Sequence, residues 1–134
     1  MVLDLSALRS ATAQLERSLA YAHSPQALAD PGLREQLRNS VIQCFELSWK
    51  TLKRHLEQMS ASPAEVDATG FADLIRLGNE RGLLRSDWSR WKVYRQARNE
   101  SSHTYDAAKA EAVFALAPDF LAEAQALLAN LTRP

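Results

Sequence analysis

The apolar residues in the middle of the chain keep helical phase for about seven turns, over residues 33–59. Part of the pattern has strict three-and-four spacing and consists of Ile42, Phe45, Trp49, Leu52, Leu56 and Met59. Such spacing is typical of a seam in a helical bundle or coiled coil. The pattern therefore predicts one long helix, whose two-sided apolar surface can contact both the protein's own core and a second subunit.

Four further segments show helical periodicity. The first covers residues 5–22, and the second begins at Thr69 or Gly70 and ends between Gly78 and Gly82. The third is capped by Ser86 or Asp87, and the fourth is capped by Thr104 or Asp106. A polar loop is expected at residues 60–63, and Pro118 is expected to kink or restart the last helix because it lacks an N–H. No segment alternates as a strand does, so the sequence predicts an all-α fold, an antiparallel up-and-down bundle of about five helices.

Length and charge narrow the class of protein. The 134 residues suit one domain over residues 1–134, and 46% apolar with 24% charged residues is typical of a soluble globular protein. The 16 basic and 16 acidic residues balance, whereas a protein that contacts many nucleic-acid phosphates usually has a basic excess. A local anion site remains compatible with this balance. Without a signal peptide or a long apolar run, we expect a cytoplasmic protein that does not enter a membrane.

The residues best suited to chemistry lie at positions 98–105. Arg98 supplies a permanent, bidentate phosphate partner, His103 exchanges a proton near neutral pH, and the Tyr105 hydroxyl can accept a modification. On an ideal helix Arg98 and Tyr105 share a face, whereas His103 points about 140° away from Arg98. Arg98 and His103 therefore converge only if the chain departs from regular helix near residues 101–104, which the Ser, Asn and Thr side chains there allow.

A structural explanation of these residues also stands. Arg98 could be a solvated helix residue paired with Glu100 or Asp106, with His103 as a cap and Tyr105 packing against the last helix.

Other candidate residues favour structural roles. Cys44, the only cysteine, is expected to fill core space, and it excludes an intrachain disulfide and a thiolate metal cluster. The three tryptophans are expected in the core or at a subunit contact, and His23 and His55 lack metal-ligand spacing. The basic run at residues 50–55 is either a solvated helix face or part of an anion-binding groove. No Walker loop or dinucleotide fingerprint is present, and neither a metal nor a cofactor is predicted.

Two segments resemble a known family. Residues 41–53 read VIQCFELSWKTLK and residues 97–106 read ARNESSHTYD, and together they resemble the nucleotidyltransferase substrate-binding protein family of the HEPN superfamily. The resemblance covers most of the chain. It implies an antiparallel helical bundle that forms homodimers, and a small nucleotidyltransferase of the minimal type as partner.

The resemblance also implies site residues. In the RNase members of the superfamily, RNA is cleaved without metal by attack of a ribose 2′-hydroxyl. Carried over, His103 would be the general acid/base, Arg98 would hold the scissile phosphate, and Asn99 would orient the phosphate or the histidine.

The extension to Tyr105 matches the toxins of nucleotidyltransferase–HEPN toxin–antitoxin pairs, in which the partner transfers AMP to the tyrosine. Two functions follow from the resemblance. One is an RNase toxin controlled through Tyr105, and the other is a noncatalytic substrate-binding subunit of a nucleotidyltransferase complex.

Overall fold

The computed structural model describes residues 3–22, 31–101 and 107–133. These ranges contain six helices, which are α1 (Ser6–Ala22), α2 (Pro31–Met59), α3 (Pro63–Asp67), α4 (Phe71–Glu80), α5 (Trp88–Ser101) and α6 (Ala107–Thr132). No strand occurs within the described ranges, so the predicted all-α class is confirmed. The sequence predicted about five helices, and the additional one is α3, a short helix that follows the predicted loop. Pro63 lies at its start, where the missing N–H of proline costs no helical hydrogen bond.

Side-chain contacts fix the directions of the helices. Ser18 Oγ lies 2.9 Å from Ser40 Oγ, and Thr12 Oγ1 lies 3.9 Å from Cys44 Sγ, so α1 and α2 run antiparallel. Arg34 forms an ion pair with Glu111, and the Phe45 ring packs against the Phe120 ring, so α2 and α6 run parallel. The structure is thus an up-and-down bundle, as the sequence predicts.

Aromatic rings fill the centre of the bundle. The rings of Phe45, Trp91 and Phe120 have centroid separations of 5.9 to 6.1 Å, and Tyr94 stacks edge-on against Phe120 at 5.0 Å. Edge-to-face packing at such distances stabilises a core beyond the burial of area alone. Trp91 and Phe120 are completely buried. These rings join α2, α5 and α6 into one core.

Cys44 lies in this core, as predicted. Its thiol is completely buried, and burial raises its pKa to about 11. A thiol in such surroundings is a poor nucleophile, because the thiolate is the reactive form. Cys44 is therefore a packing residue.

Helix α4 approaches α2 closely at a glycine. A Cβ added at Gly78 would lie 3.0 Å from Leu52 Cδ2 and 3.2 Å from Leu84 Cδ1, so only glycine allows this approach without a shift of leucine side chains. The helix passes Gly78 and ends at Glu80, and Gly82 follows with a φ of 72°. This left-handed conformation is the usual way in which glycine terminates a helix. The predicted end between Gly78 and Gly82 is confirmed.

Helix α6 is continuous through Pro118. Pro118 was predicted to kink or restart the helix, and the helix does not restart at this position. The ring of Pro118 is exposed, while its neighbours Ala117 and Phe120 are completely buried in the bundle core. Packing on both sides of the proline therefore offsets the loss of one backbone hydrogen bond.

Helix α6 also has a composition like that of a membrane span. Residues Glu111–Thr132 are long and apolar enough to cross a membrane by length and composition alone. In the bundle, however, this stretch supplies fully buried core residues such as Ala117, Phe120 and Leu127. The core helix of a soluble protein can meet the same criteria, so length and composition alone do not make this stretch a membrane span.

Candidate functional site

Helix α5 begins at a well-formed cap. Asp87 Oδ1 accepts a hydrogen bond from Ser89 N at 3.0 Å, and the Asp87 carbonyl accepts from Trp91 N at 3.2 Å. Hydrogen bonds from Ser89 hold the pKa of Asp87 below its usual range. The sequence predicted Ser86 or Asp87 as the cap, and Asp87 has this role.

The inward face of α5 sets the direction of Arg98. Trp91, Tyr94 and Ala97 are buried at helical spacing against α2 and α6. Arg98 follows at the edge of this buried face, with 32% of its side chain exposed, and turns toward α2.

An ion pair connects α5 to α2. Arg98 Nε donates to Glu46 Oε1 at 2.6 Å, and the Glu46 side chain is 27% exposed. The other oxygen of the same carboxylate accepts from Trp49 Nε1 at 3.2 Å and lies 3.8 Å from Lys50 Nζ. Charge-assisted bonds of this kind hold a guanidinium in a defined orientation. Glu46 therefore fixes Arg98 and Trp49 at the same time.

The structural alternative considered for Arg98 gave it Glu100 or Asp106 as a partner. Glu100 accepts a hydrogen bond from Gln96 Nε2 at 3.1 Å, and Asp106 lies outside the described residues. The described residues add a partner that the sequence did not indicate, Glu46, which lies 52 positions away in the chain.

A cleft of about 540 Å³ opens beside this ion pair, between α2, α4 and α5. It is lined by Phe45, Glu46, Trp49, Lys53, Thr69, Phe71, Leu74, Arg95, Arg98 and Asn99. Three of these side chains are cationic and one is anionic. Excess positive charge beside aromatic surface suits a ligand that combines a planar ring with a phosphate. The neutral chain thus has a locally basic cleft.

Arg95 and Phe71 form one wall of the cleft. The guanidinium carbon of Arg95 lies 4.6 Å from the centroid of the Phe71 ring, a cation–π arrangement. Trp49 packs edge-on against the same ring at 5.8 Å. Among the described residues, Arg95 has no carboxylate partner, whereas Lys53 Nζ bonds to Asp67 Oδ1 at 2.7 Å.

Sequence reasoning missed Arg95, Phe71 and Glu46. Arg95 could have been found, because it lies one helical turn before Arg98 and therefore on the same face. Phe71 gave no signal that distinguished it from a core residue. Trp49 lies in the cleft wall, whereas Trp91 is buried in the core as predicted.

The basic run at residues 50–55 divides between different surroundings. Lys53 lines the cleft, as the groove interpretation requires, while Arg54 is exposed as in the solvated-face interpretation. His55 is partly buried, and this burial, together with the charge of Arg81, lowers its pKa.

The catalytic and modification residues predicted from sequence fall into two groups. Arg98 and Asn99 both line the cleft. His103 and Tyr105 lie outside the described residues, as does His23.

Tyr94 bonds to Asp119 and Ser86 N bonds to Glu123, so α5 and α6 run antiparallel and are separate helices.

A second cluster of polar residues is buried between α5 and α6. Glu123 is completely buried and accepts hydrogen bonds from Trp91 Nε1 and Ser86 N, each at 3.0 Å. Tyr94 OH donates to Asp119 Oδ2 at 2.6 Å. Every one of these groups has a partner, so the cluster is structural. Elsewhere in the described ranges, too, no group of three or more His, Cys, Asp or Glu side chains could hold a metal ion.

Burial and hydrogen bonding shift two pKa values in this cluster. Burial and the neighbouring carboxylates raise the pKa of Tyr94. Burial by itself would raise the pKa of Asp119, but hydrogen bonds from Tyr94, Arg90 and Arg85 lower it below its usual range.

The fold and the cleft define an all-α bundle protein with a basic, aromatic-lined site. The chain belongs to the nucleotidyltransferase substrate-binding protein family of the HEPN superfamily, since residues 3–133 match the family model described as nucleotidyltransferase substrate binding protein like.

Two relatives from Haemophilus influenzae are similar to it. One, named probable ribonuclease HepT, is 45% identical over 87 residues, which are 65% of this chain and 59% of that protein. The chain thus spans less than two thirds of the length of this relative. The other is a solved structure described as the fold of a substrate binding domain of a nucleotidyltransferase. It is 33% identical, has a TM-score of 0.85, and the match covers 97% of this chain and 100% of that one.

Proposed function

We propose that this protein is the HEPN partner of a minimal nucleotidyltransferase and the toxin of a toxin–antitoxin pair, acting on RNA as a metal-independent endoribonuclease. In this proposal it is a cytoplasmic, single-domain homodimer. The relative named probable ribonuclease HepT supports the RNase activity, and the family description supports the partner.

The observation that carries the proposal is the position of Arg98 and Asn99 in the basic cleft. Glu46 holds the guanidinium of Arg98 at the edge of the cleft, where about a third of the side chain meets solvent. A fixed guanidinium stabilises the charge that develops on a phosphate in the transition state, because no reorganisation is needed during the reaction. The local excess of cations also explains how a neutral chain binds RNA.

In the proposed reaction, a ribose 2′-oxygen attacks the adjacent phosphorus and the bond from phosphorus to the 5′-oxygen breaks. His103 removes the proton from the 2′-hydroxyl, and a second copy of His103 in the homodimer protonates the leaving oxygen. Arg98 binds the phosphate, and Asn99 orients the phosphate or the histidine. The products are a 2′,3′-cyclic phosphate and a 5′-hydroxyl.

Control by the partner is proposed to act through Tyr105. The tyrosine oxygen attacks the α-phosphorus of ATP in the nucleotidyltransferase, and pyrophosphate leaves. The AMP group adds a negative charge close in sequence to Arg98 and His103. An anion there competes with RNA phosphate for the same cations, so the modified protein is inactive.

The second candidate function is a noncatalytic substrate-binding subunit of the nucleotidyltransferase complex. The description of the similar solved structure as a substrate binding domain favours it. In this case the cleft binds an anionic substrate, and Arg98 serves in binding alone.

Growth of cells that express the chain without its partner tests the toxin proposal. We expect growth arrest with the wild-type chain and normal growth with Arg98→Ala or His103→Ala. Arg17→Ala is the matched control, because it removes an exposed arginine on α1, outside the cleft, and should still arrest growth. Normal growth with the wild-type chain at equal protein level would contradict the toxin role.

Intact-mass measurement tests the modification. After incubation with the partner and ATP, the chain should gain the mass of one AMP group, and Tyr105→Phe should abolish the gain. Tyr21→Phe, which alters an exposed tyrosine on α1, should leave it unchanged. An AMP group that persists in Tyr105→Phe would remove Tyr105 as the acceptor.

A further inference from the structure

The cleft extends well beyond Arg98. Arg95, Phe71, Trp49 and Lys53 line it but have no part in the proposed cleavage or in its control. At about 540 Å³ the cleft lies within the range of small-molecule sites, roughly 300–1,000 Å³. This volume exceeds what one phosphate group needs. The additional residues therefore define space for a larger part of the ligand.

The chemistry of these residues matches one class of ligand. Bases of single-stranded nucleic acid stack on aromatic rings and on arginine guanidinium groups. Arg95 is exposed, is held over the Phe71 ring at 4.6 Å, and has no carboxylate partner among the described residues. A guanidinium placed on a ring is pre-organised for a planar ligand and is not neutralised by a neighbouring acid.

Trp49 also packs against Phe71 and lines the same cleft. Its indole N–H bonds to Glu46 at 3.2 Å, and its ring meets Phe71 edge-on at 5.8 Å. Because Glu46 also binds Arg98, one carboxylate sets the distance between the indole and the phosphate-binding guanidinium. Lys53 adds a further cation beside them, bound to the exposed Asp67.

We propose that this part of the cleft is a nucleotide subsite, in which Arg95 and Trp49 stack against an unpaired base and Lys53 contacts the phosphate attached to it. The ligand is a nucleoside monophosphate unit of single-stranded RNA, next to the phosphate held by Arg98. This inference rests on the proposed RNase function for the identity of the strand. The shared chemistry would also admit free AMP.

Binding of a short single-stranded 2′-O-methyl RNA tests the subsite. This probe lacks the 2′-hydroxyl and cannot be cleaved by the proposed reaction, so affinity is measured apart from catalysis. Arg95→Ala should weaken binding about 10-fold, because the stacking of one base on the guanidinium is lost. Arg95→Lys keeps the charge but not the planar group, and should recover less than half of the lost binding free energy. Arg17→Ala should bind as the wild type does.

The intrinsic fluorescence of Trp49 supplies a second readout. RNA should quench the fluorescence of the wild-type chain, and Trp49→Phe should lose most of that change. Arg95 is exposed, so its variants should keep the thermal stability of the wild type. Equal affinity of wild type, Arg95→Ala and Trp49→Phe for the RNA would overturn the subsite.

Competition with AMP identifies the source of the nucleotide. RNA binding that depends on Arg95 supports the RNA unit, whereas AMP binding that depends on Arg95 without any RNA binding overturns it in favour of a free nucleotide.

The nucleotide subsite and the RNase function can be overturned separately. Cleavage abolished by Arg98→Ala but with KM unchanged in Arg95→Ala overturns the subsite alone. Arg95-dependent RNA binding without cleavage of ordinary RNA supports the subsite and overturns the RNase.

Discussion

Glu46 Oε1 lies 2.6 Å from Arg98 Nε and joins α2 to α5 at the edge of the cleft. The two residues belong to the two separate sequence segments, residues 41–53 and 97–106, that resemble the family. Their contact brings both segments into one site. The carboxylate also holds Trp49, so an ion pair and an aromatic wall share the same support.

A double-mutant cycle on Glu46→Gln and Arg98→Gln should give a coupling free energy of about 1 kcal/mol in urea unfolding. The value is modest because about a third of each side chain is exposed to solvent, and it should fall at high salt. The exposed pair Asp73 and Arg76 on α4 is the control, with an expected coupling of about 0.3 kcal/mol. Zero coupling between Glu46 and Arg98 would contradict the ion pair.

Glu123→Ala should destabilise the fold by about 3–5 kcal/mol, measured as the free energy of unfolding in urea. Glu123 is completely buried, and its removal leaves the Trp91 indole N–H and the Ser86 amide without their acceptor. Glu111→Ala on the same helix removes only an exposed ion pair with Arg34 and should cost less than about 1 kcal/mol. Similar losses in the two variants would refute a structural role for the buried cluster.

Tyr94 should make stability decrease as the pH rises above 10, the ordinary pKa of tyrosine, in addition to the decrease that the raised pKa of Cys44 starts above pH 9. The pKa of Tyr94 is raised in the folded protein, so above pH 10 the unfolded chain ionises while the folded chain keeps its proton. Tyr94→Phe should lower stability at neutral pH by about 2 kcal/mol, because its hydrogen bond to Asp119 is lost, and should flatten the alkaline decrease. Urea unfolding across a pH series measures both effects. An unchanged alkaline slope in Tyr94→Phe would count against this assignment.

Cys44 should be alkylated only slowly in the native protein. Burial raises its pKa from 9.0 to about 11, and this shift alone lowers the thiolate fraction about 100-fold at neutral pH. Iodoacetamide labelling followed by mass measurement, with and without urea, gives the two rates. Equal rates in the two conditions would show that the thiol is accessible in the folded protein.

The periodic apolar residues predicted the long helix α2 and the bundle, because helical spacing is a local property of the sequence. The cap at Asp87 and the end of α4 near Gly82 were predictable for the same reason. The continuity of α6 through Pro118 was not, since it depends on tertiary packing of the neighbouring residues.

Arg98 was singled out from its chemistry and Asn99 from the family resemblance, and both line the cleft. The contact of Arg98 with Glu46 was not predicted, because it depends on how α2 packs against α5. Arg95 and Phe71 meet only because α4 lies against α5, so their pairing had no signal in the sequence.

Cleavage of single-stranded RNA by the purified chain in the presence of EDTA tests the central claim most directly. The account predicts fragments with 2′,3′-cyclic phosphate ends, a rate reduced by at least about 100-fold in Arg98→Ala and His103→Ala, and an unchanged rate in Arg17→Ala. RNA that stays intact with the wild-type chain, or fragments produced equally well by His103→Ala, would contradict the proposed RNase.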